Sequence, residues 1–293
     1  MITQLREPLT SGPAVVFSAG VPDTHYFKGH HGGRVIPLCR DSRQRIPNVA
    51  PGLLLLLSRH LEADIADDDL LAYTAGIAAH SGYTQRFHHE LAQPGVRIPL
   101  TAVPQFWREA VEIGRHVIWL HTFGERFADE SRGRPLRRIP GRPDVRHPIP
   151  GRPEQLPGRI EYRPLDNCLV VGWDEFGRIG PVTPEAAEYE ISGMRIISHW
   201  FDYRKRNPSG RRGASDLDAE NLQRWTNRMT EELRDLVAVL EGCVSLEQRQ
   251  ANLLDRIVNA PILSTAELTE AAVIPPPDAL RRLMAPDDGM TLF

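Results

Sequence analysis

Seven prolines fall between residues 131 and 163, at positions 135, 140, 143, 148, 150, 153 and 157. Proline has no backbone N–H and clashes with the preceding helical turn, so no ordinary helix crosses such a stretch. The segment is expected to lack regular structure and to act as an exposed linker. It splits the chain into an N-terminal strand, loop and helical part (1–130), an Arg/Pro-rich linker (131–159) and a part with β-strands and long helices (160–293). Nine arginines stand in 131–163 against three acids. A basic linker of this kind either touches phosphates or is simply solvated, and composition leaves both readings open.

Before the linker, residues 1–50 are rich in Gly and Pro, with short apolar runs at 14–17 and 35–38 that suit strands. Lys28, His30, His31, Arg34 and Arg40 make this region basic. Adjacent histidines point in different directions, and no Cys or carboxylate stands at ligand spacing, so no metal site is expected. Asp67, Asp68 and Asp69 place negative charge at the start of a helix reaching His80. Ser81-Gly82 breaks it, and a second helix is expected to Ala92. A third, from about Gln105 to Phe127, carries apolar residues on more than one face and should be central to the core. His116 and His121 on it are five apart, which is not the spacing of a helical metal pair.

After the linker, Ile160–Tyr162, Cys168–Val171 and Ile179–Val182 read as strands around turns at Asp166-Asn167 and Asp174. The stretch Ala187 to Arg212 then combines three signals. Glu188 to Ile191 suits a strand end, and Ser192-Gly193 a strand break with a serine N-cap. Met194 to Tyr203 has apolar residues near helical spacing. That helix runs into Arg204, Lys205 and Arg206, and then Arg211 and Arg212. Five cations in nine residues are either a solvated helix end, favoured by the helix dipole, or a ligand site. Trp200 and Phe201 read as core that aims the basic loop. Two amphipathic helices follow, Leu217–Gly242 and Leu246–Val258, and a weakly ordered terminus begins near Ile274. The fold class is therefore α+β: a helix-rich module with short mixed strands and long C-terminal amphipathic helices.

The formal net charge of the 293 residues is -3, so any nucleic-acid site is a local patch. Fourteen acids and seven arginines lie from Ala214 onward, leaving the first 213 residues net positive. Three cysteines, Cys39, Cys168 and Cys243, form no paired framework and suit a reducing cytoplasm. The longest apolar run, Leu53–Leu57, is too short to span a bilayer, and residues 1–10 lack a signal core. A phosphate-binding Gly-x-x-x-x-Gly-Lys loop, a Gly-x-Gly-x-x-Gly turn and a Gly-x-Ser-x-Gly elbow are all absent, so no catalytic residue is assigned. A non-catalytic protein- or RNA-binding scaffold fits such a chain, as does an inactive truncated remnant or an intact enzyme of unfamiliar chemistry.

Two segments carry a resemblance. Leu71 to Pro99, LAYTAGIAAHSGYTQRFHHELAQPGVRIP, has a helix, a break at Ser81–Tyr83, a second helix and an Arg-Ile-Pro end. Tyr189 to Asn207, YEISGMRIISHWFDYRKRN, has Tyr-x-Ile-x-Gly-x-x-Ile, then Trp, then Tyr-Arg, and LDAENLQRWTNRMTEEL follows from Leu217. Together they resemble the C-terminal specificity domain of type ISP restriction–modification enzymes and DNA adenine-N6 methyltransferases, over roughly residues 8 to 265. The resemblance implies sequence-specific recognition of double-stranded DNA. It puts Arg204, Lys205, Arg206, Arg211 and Arg212 first among DNA contacts, with Lys28, His30, His31, Arg34 and Arg40 second. The family's Gly-rich S-adenosylmethionine loop and Asn-Pro-Pro-aromatic motif are not in this chain; Asn207-Pro208 is followed by Ser209. The cofactor is thus expected on a partner methyltransferase subunit, or on a catalytic part missing upstream.

Overall fold

A computed structural model describes residues 1–4, 8–22, 33–41, 43, 46–93, 95–172, 177–205 and 224–274. Its helical core is α1 (Leu53–Leu61), α2 (Asp67–Ala78), α3 (Ser81–Arg86) and α4 (Pro104–His121), closed by α7 (Asn227–Val258). Between α4 and α7 come four antiparallel strands, β3 (Asp144–His147), β4 (Ile160–Arg163), β5 (Cys168–Val171) and β6 (Arg178–Gly180), in the order β3-β6-β5-β4. A short helix α5 (Pro184–Ala187), a hairpin of β7 (Glu190–Ile191) and β8 (Met194–Arg195), and α6 (Ile196–Asp202) lead toward α7. At the N-terminus, β1 (Ile2–Gln4) pairs with β2 (Gly33–Val35). Helix α8 (Thr265–Glu270) follows α7. The α+β class holds.

Small residues set the central crossing. A Cβ on Gly114 of α4 would stand 1.7 Å from the Ala72 carbonyl oxygen, and one on Gly76 of α2 would stand 2.2 Å from that of Ala110. The two backbones therefore touch, and no larger residue fits at either point. Beside this contact Tyr73 stacks on Trp107 with ring centroids 4.3 Å apart. The Tyr73 hydroxyl donates to the Pro99 carbonyl at 2.6 Å, and the Tyr83 hydroxyl to that of Arg97 at 2.5 Å. The Arg-Ile-Pro end of the first motif thus supplies acceptors for two buried tyrosines. On the third side, the buried Gln250 amide donates from α7 to the carbonyls of Ala75 and Gly76.

Three expectations need correction. The segment 131–159 is not an irregular exposed linker throughout: it supplies the edge strand β3, and Arg134, Ile139 and Leu156 are buried. An edge strand tolerates neighbouring prolines because its outer N–H groups need no ladder partner. Ser192-Gly193 does not cap a helix but forms the tight turn of the β7–β8 hairpin, with φ of 53° and 75°. Two residues in this left-handed region match the twist of a two-residue hairpin, so the helix starts later, at Ile196. The two amphipathic helices are one. Thr226 caps α7 by accepting from the Met229 N–H at 3.3 Å, and the helix runs through Gly242. A Cβ on Gly242 would lie 2.6 Å from the Leu120 side chain, so this glycine permits close packing on α4. The residues of the expected helix from 217 to 223 lie outside the described residues, as does the terminus from 275. Among the described residues no helix is long and apolar enough to cross a membrane.

Candidate nucleic-acid interface

The stretch from Tyr189 to Lys205 is clamped before it presents any charge. The Ser192 N–H donates to the Ser11 carbonyl at 2.9 Å, and the Gly193 N–H to the Ser11 hydroxyl at 3.1 Å. A Cβ on Gly12 would stand 2.0 Å from the Glu190 carbonyl oxygen, so the N-terminal segment lies flush against the hairpin. Ile197 and Phe201 of α6 are buried, and Phe201 and Trp200 both pack on Trp225 with centroids 6.1 Å apart. The Trp225 indole N–H donates to the Thr230 hydroxyl at 2.9 Å, fixing that platform to α7. These rings aim the end of α6, as their apolar pattern suggests.

Two of the five first-rank cations are described, and each has partners. The Arg204 guanidinium stacks on the Trp200 ring at 4.1 Å from its centroid. Its Nη1 donates to the Trp200 carbonyl at 3.0 Å and its Nη2 to Glu232 at 3.3 Å. Glu232 also accepts from Arg228 Nε at 2.9 Å. Lys205 donates to Asp202 at 2.7 Å in an exposed i,i+3 pair. Such a surface pair is worth about 0.2–1 kcal/mol, so a phosphate could displace the carboxylate at little cost. Arg206, Arg211 and Arg212 lie outside the described residues.

The second-rank set divides the same way. Lys28, His30 and His31 lie outside the described residues. Arg34 is exposed on β2, opposite Thr3. Arg40 is exposed and closes its own loop, donating to the Asn48 side chain at 3.2 Å and the Val49 carbonyl at 3.3 Å.

Much of the basic charge of 131–163 is consumed internally. Arg134 is 3% exposed; it donates to Glu112 at 2.7 Å and to the Phe127 carbonyl at 3.0 Å. Arg142 lies 2.6 Å from Glu231 and 2.8 Å from Asp235. Among the described residues Arg138 and Arg152 have no ion-pair partner and both are exposed. A second cationic cluster lies on the four-stranded sheet. Arg163 donates from Nε and Nη2 to the two oxygens of Asp166, at 2.9 and 2.5 Å. Arg178 Nη1 lies 3.5 Å from the same carboxylate, and Arg146 Nη1 donates to the Asp166 carbonyl at 3.0 Å. Hydrogen bonds from Arg163, then the neighbouring positive charges, hold the Asp166 carboxyl below its ordinary range. Sequence reading missed this cluster because its members come from three strands far apart in the chain.

Behind α6 lies a mostly apolar cavity of about 570 Å³, between Phe17, Trp200 and Leu240. Two buried polar atoms on its wall, His121 Nδ1 and the Tyr189 hydroxyl, lack hydrogen-bond partners. Burial pushes the His121 imidazole down to about 4 and the Tyr189 hydroxyl well above its ordinary value. Both are therefore neutral near pH 7, and neither is poised to transfer a proton there. Among the described residues no group of three or more His, Cys, Asp or Glu side chains is placed to hold a metal ion.

The geometry thus offers cationic side chains on rigid platforms, suited to contacts with an anionic polymer. The family model of the type ISP C-terminal specificity domain matches residues 1–236. The cryo-EM structure of the DrdV–DNA complex shares the fold, at a TM-score of 0.56 and 15% identity, over 87% of this chain and 24% of that one. A nuclease-deletion mutant of the type ISP restriction–modification enzyme LlaGI, in complex with a DNA substrate mimic, matches 69% of this chain and 17% of that one, at 19% identity and a TM-score of 0.38. The ATP-dependent type ISP enzyme LlaBIII bound to DNA matches 68% and 12%, at 15% identity and a TM-score of 0.39. This chain therefore spans about a quarter or less of the length of these structures. No curated protein matches it.

Proposed function

Because the chain belongs to the family of type ISP C-terminal specificity domains, we propose that it is the double-stranded DNA recognition module of a type ISP-like restriction–modification system. The family match over residues 1–236 carries this reading. The supports are physical. Phosphate contacts position a protein on a duplex, and base contacts specify the sequence. Arg204 and Lys205 stand at the end of a helix fixed by aromatic packing, where a guanidinium keeps its orientation.

The chain supplies recognition, and the methyl transfer to adenine N6 belongs to a methyltransferase subunit or an upstream catalytic part. That partner binds S-adenosylmethionine and takes the target adenine out of the stack. A module that acts on DNA within such a system is proposed to be cytoplasmic. The test is selection from a pool of 40-bp duplexes with randomised centres, using the purified chain. Recovery of one shared motif, with binding that weakens steeply in salt, is the expected result. Recovery of unrelated sequences removes the specificity reading. Tighter capture of RNA or of an acidic protein favours a scaffold instead.

A further inference from the structure

The loop between β4 and β5 is short, rigid and tipped with an apolar residue. Arg163 pairs with Cys168 across the hairpin, leaving Pro164, Leu165, Asp166 and Asn167 as the connection. Pro164 fixes one backbone angle, and Asn167 takes the left-handed conformation with φ of 51°. The Tyr162 hydroxyl donates to the Asn167 side chain at 3.0 Å, and the Asn167 carbonyl accepts from the Val182 N–H at 2.8 Å. Asp166 is gripped by Arg163 and Arg178, and its carbonyl by Arg146. Among all the described large apolar residues Leu165 is the most exposed, at 96%. A polar residue would serve this apex equally well for folding. Instead a leucine is held out in water by a turn that three arginines brace. Among the described residues the Asp166 side chain and carbonyl gather three guanidinium groups at the base of the tip.

We propose that this tip is a DNA-contacting wedge, in which Leu165 enters the base stack from a groove while Arg146, Arg163 and Arg178 face the flanking phosphates. Apolar wedges of this size partly unstack a base step and bend the duplex, and nearby cations offset the closer approach of the phosphates. A flexible loop would lose the gain to ordering entropy; this one is ordered beforehand. The inference rests on the DNA-recognition reading above and adds an element that the basic run from Arg204 does not contain.

The experiment uses the duplexes enriched by the wild-type chain, labelled at both ends for energy transfer. Wild-type binding should shorten the end-to-end distance. Leu165→Ala should bind about tenfold more weakly and lose most of that change, with the salt slope unchanged. Leu165→Met, which keeps an apolar tip, should bind within about threefold of wild type. Arg146→Gln should instead lower the salt slope by about one. Thermal melting of each variant checks the fold, which an exposed apex residue should not disturb. If Leu165→Ala matches wild type in affinity and in energy transfer, the wedge is overturned while DNA recognition stands. If the wild-type chain enriches no duplex at all, the recognition reading fails and the wedge with it.

Discussion

The guanidinium of Arg204 lies 4.1 Å from the centroid of the Trp200 ring and shares Glu232 with Arg228. Stacking holds the guanidinium plane in one orientation, while the carboxylate competes with any phosphate for it. Glu232→Gln should therefore strengthen binding to the enriched duplex, by about twofold to fivefold at low salt, and the gain should fade as salt rises. Trp200→Ala should weaken binding by releasing the side chain. Fluorescence anisotropy titrations at two salt concentrations measure both effects.

The basic run has its own signature. Replacing Arg204 and Arg206 together by Ala should weaken DNA binding and lower the salt slope by about one for each phosphate that the variant no longer neutralises. Unchanged affinity with an unchanged slope takes both residues out of the interface.

Two arginines seven and five residues after Phe127 should behave very differently. Arg134 is buried and holds Glu112 and the Phe127 carbonyl, whereas Arg132 is exposed and 3.4 Å from the same carboxylate. Arg134→Ala should cost about 2–4 kcal/mol of stability, because it empties a buried guanidinium site and leaves the partly buried Glu112 carboxylate and Phe127 carbonyl without their common donor. Arg132→Ala should cost under about 1 kcal/mol. Urea unfolding of both variants makes the comparison.

The crossing of α2 and α4 leaves no room at Gly114. A Cβ there would lie 1.7 Å from the Ala72 carbonyl oxygen, and backbone cannot yield as a side chain can. Gly114→Ala should destabilise the fold by about 3 kcal/mol despite the better helix propensity of alanine. A urea midpoint equal to wild type would show that the helices separate freely.

Acid should weaken the protein well above the carboxylate range. Burial pushes His80 and His121 down to about 4, and His116 moves the same way. In the unfolded chain a histidine titrates near 6.5, so protons bind the unfolded state first as pH falls. The contributions of His80 and His121 are fully present above that value and are lost progressively between about 6.5 and 4. For His80 the full span corresponds to about 3 kcal/mol. His80→Gln should flatten the decline in the urea midpoint between pH 7 and pH 5; an unaltered decline would remove His80 as its source.

Local signals in the sequence were reliable where one residue type forces one conformation. Cys168–Val171 is the strand its apolar run describes, and Asp67 to Asp69 open α2 as their charge requires. Phe201 is core. What local reading missed depends on partners distant in the chain. The acidic excess after Ala214 is not set apart from the basic part of the chain, because carboxylates of α7 bind the rest of the molecule. Glu231 binds Arg142, Glu241 accepts from the Thr183 hydroxyl and N–H, and Glu247 accepts from the Ser81 hydroxyl. Proline density concealed β3 because its place as an edge strand is set by β6, more than thirty residues later. The cluster of Arg146, Arg163 and Arg178 was hidden for the same reason. The family resemblance points to the basic run from Arg204, but carries no signal for the β4–β5 tip.

Recognition of one duplex sequence by this chain is read out by competition binding. The enriched duplex is titrated near physiological salt against a scrambled duplex of equal length and composition. A preference of about a hundredfold or more is expected, with both affinities falling as salt rises. Equal affinity for the two duplexes at every salt concentration would contradict it.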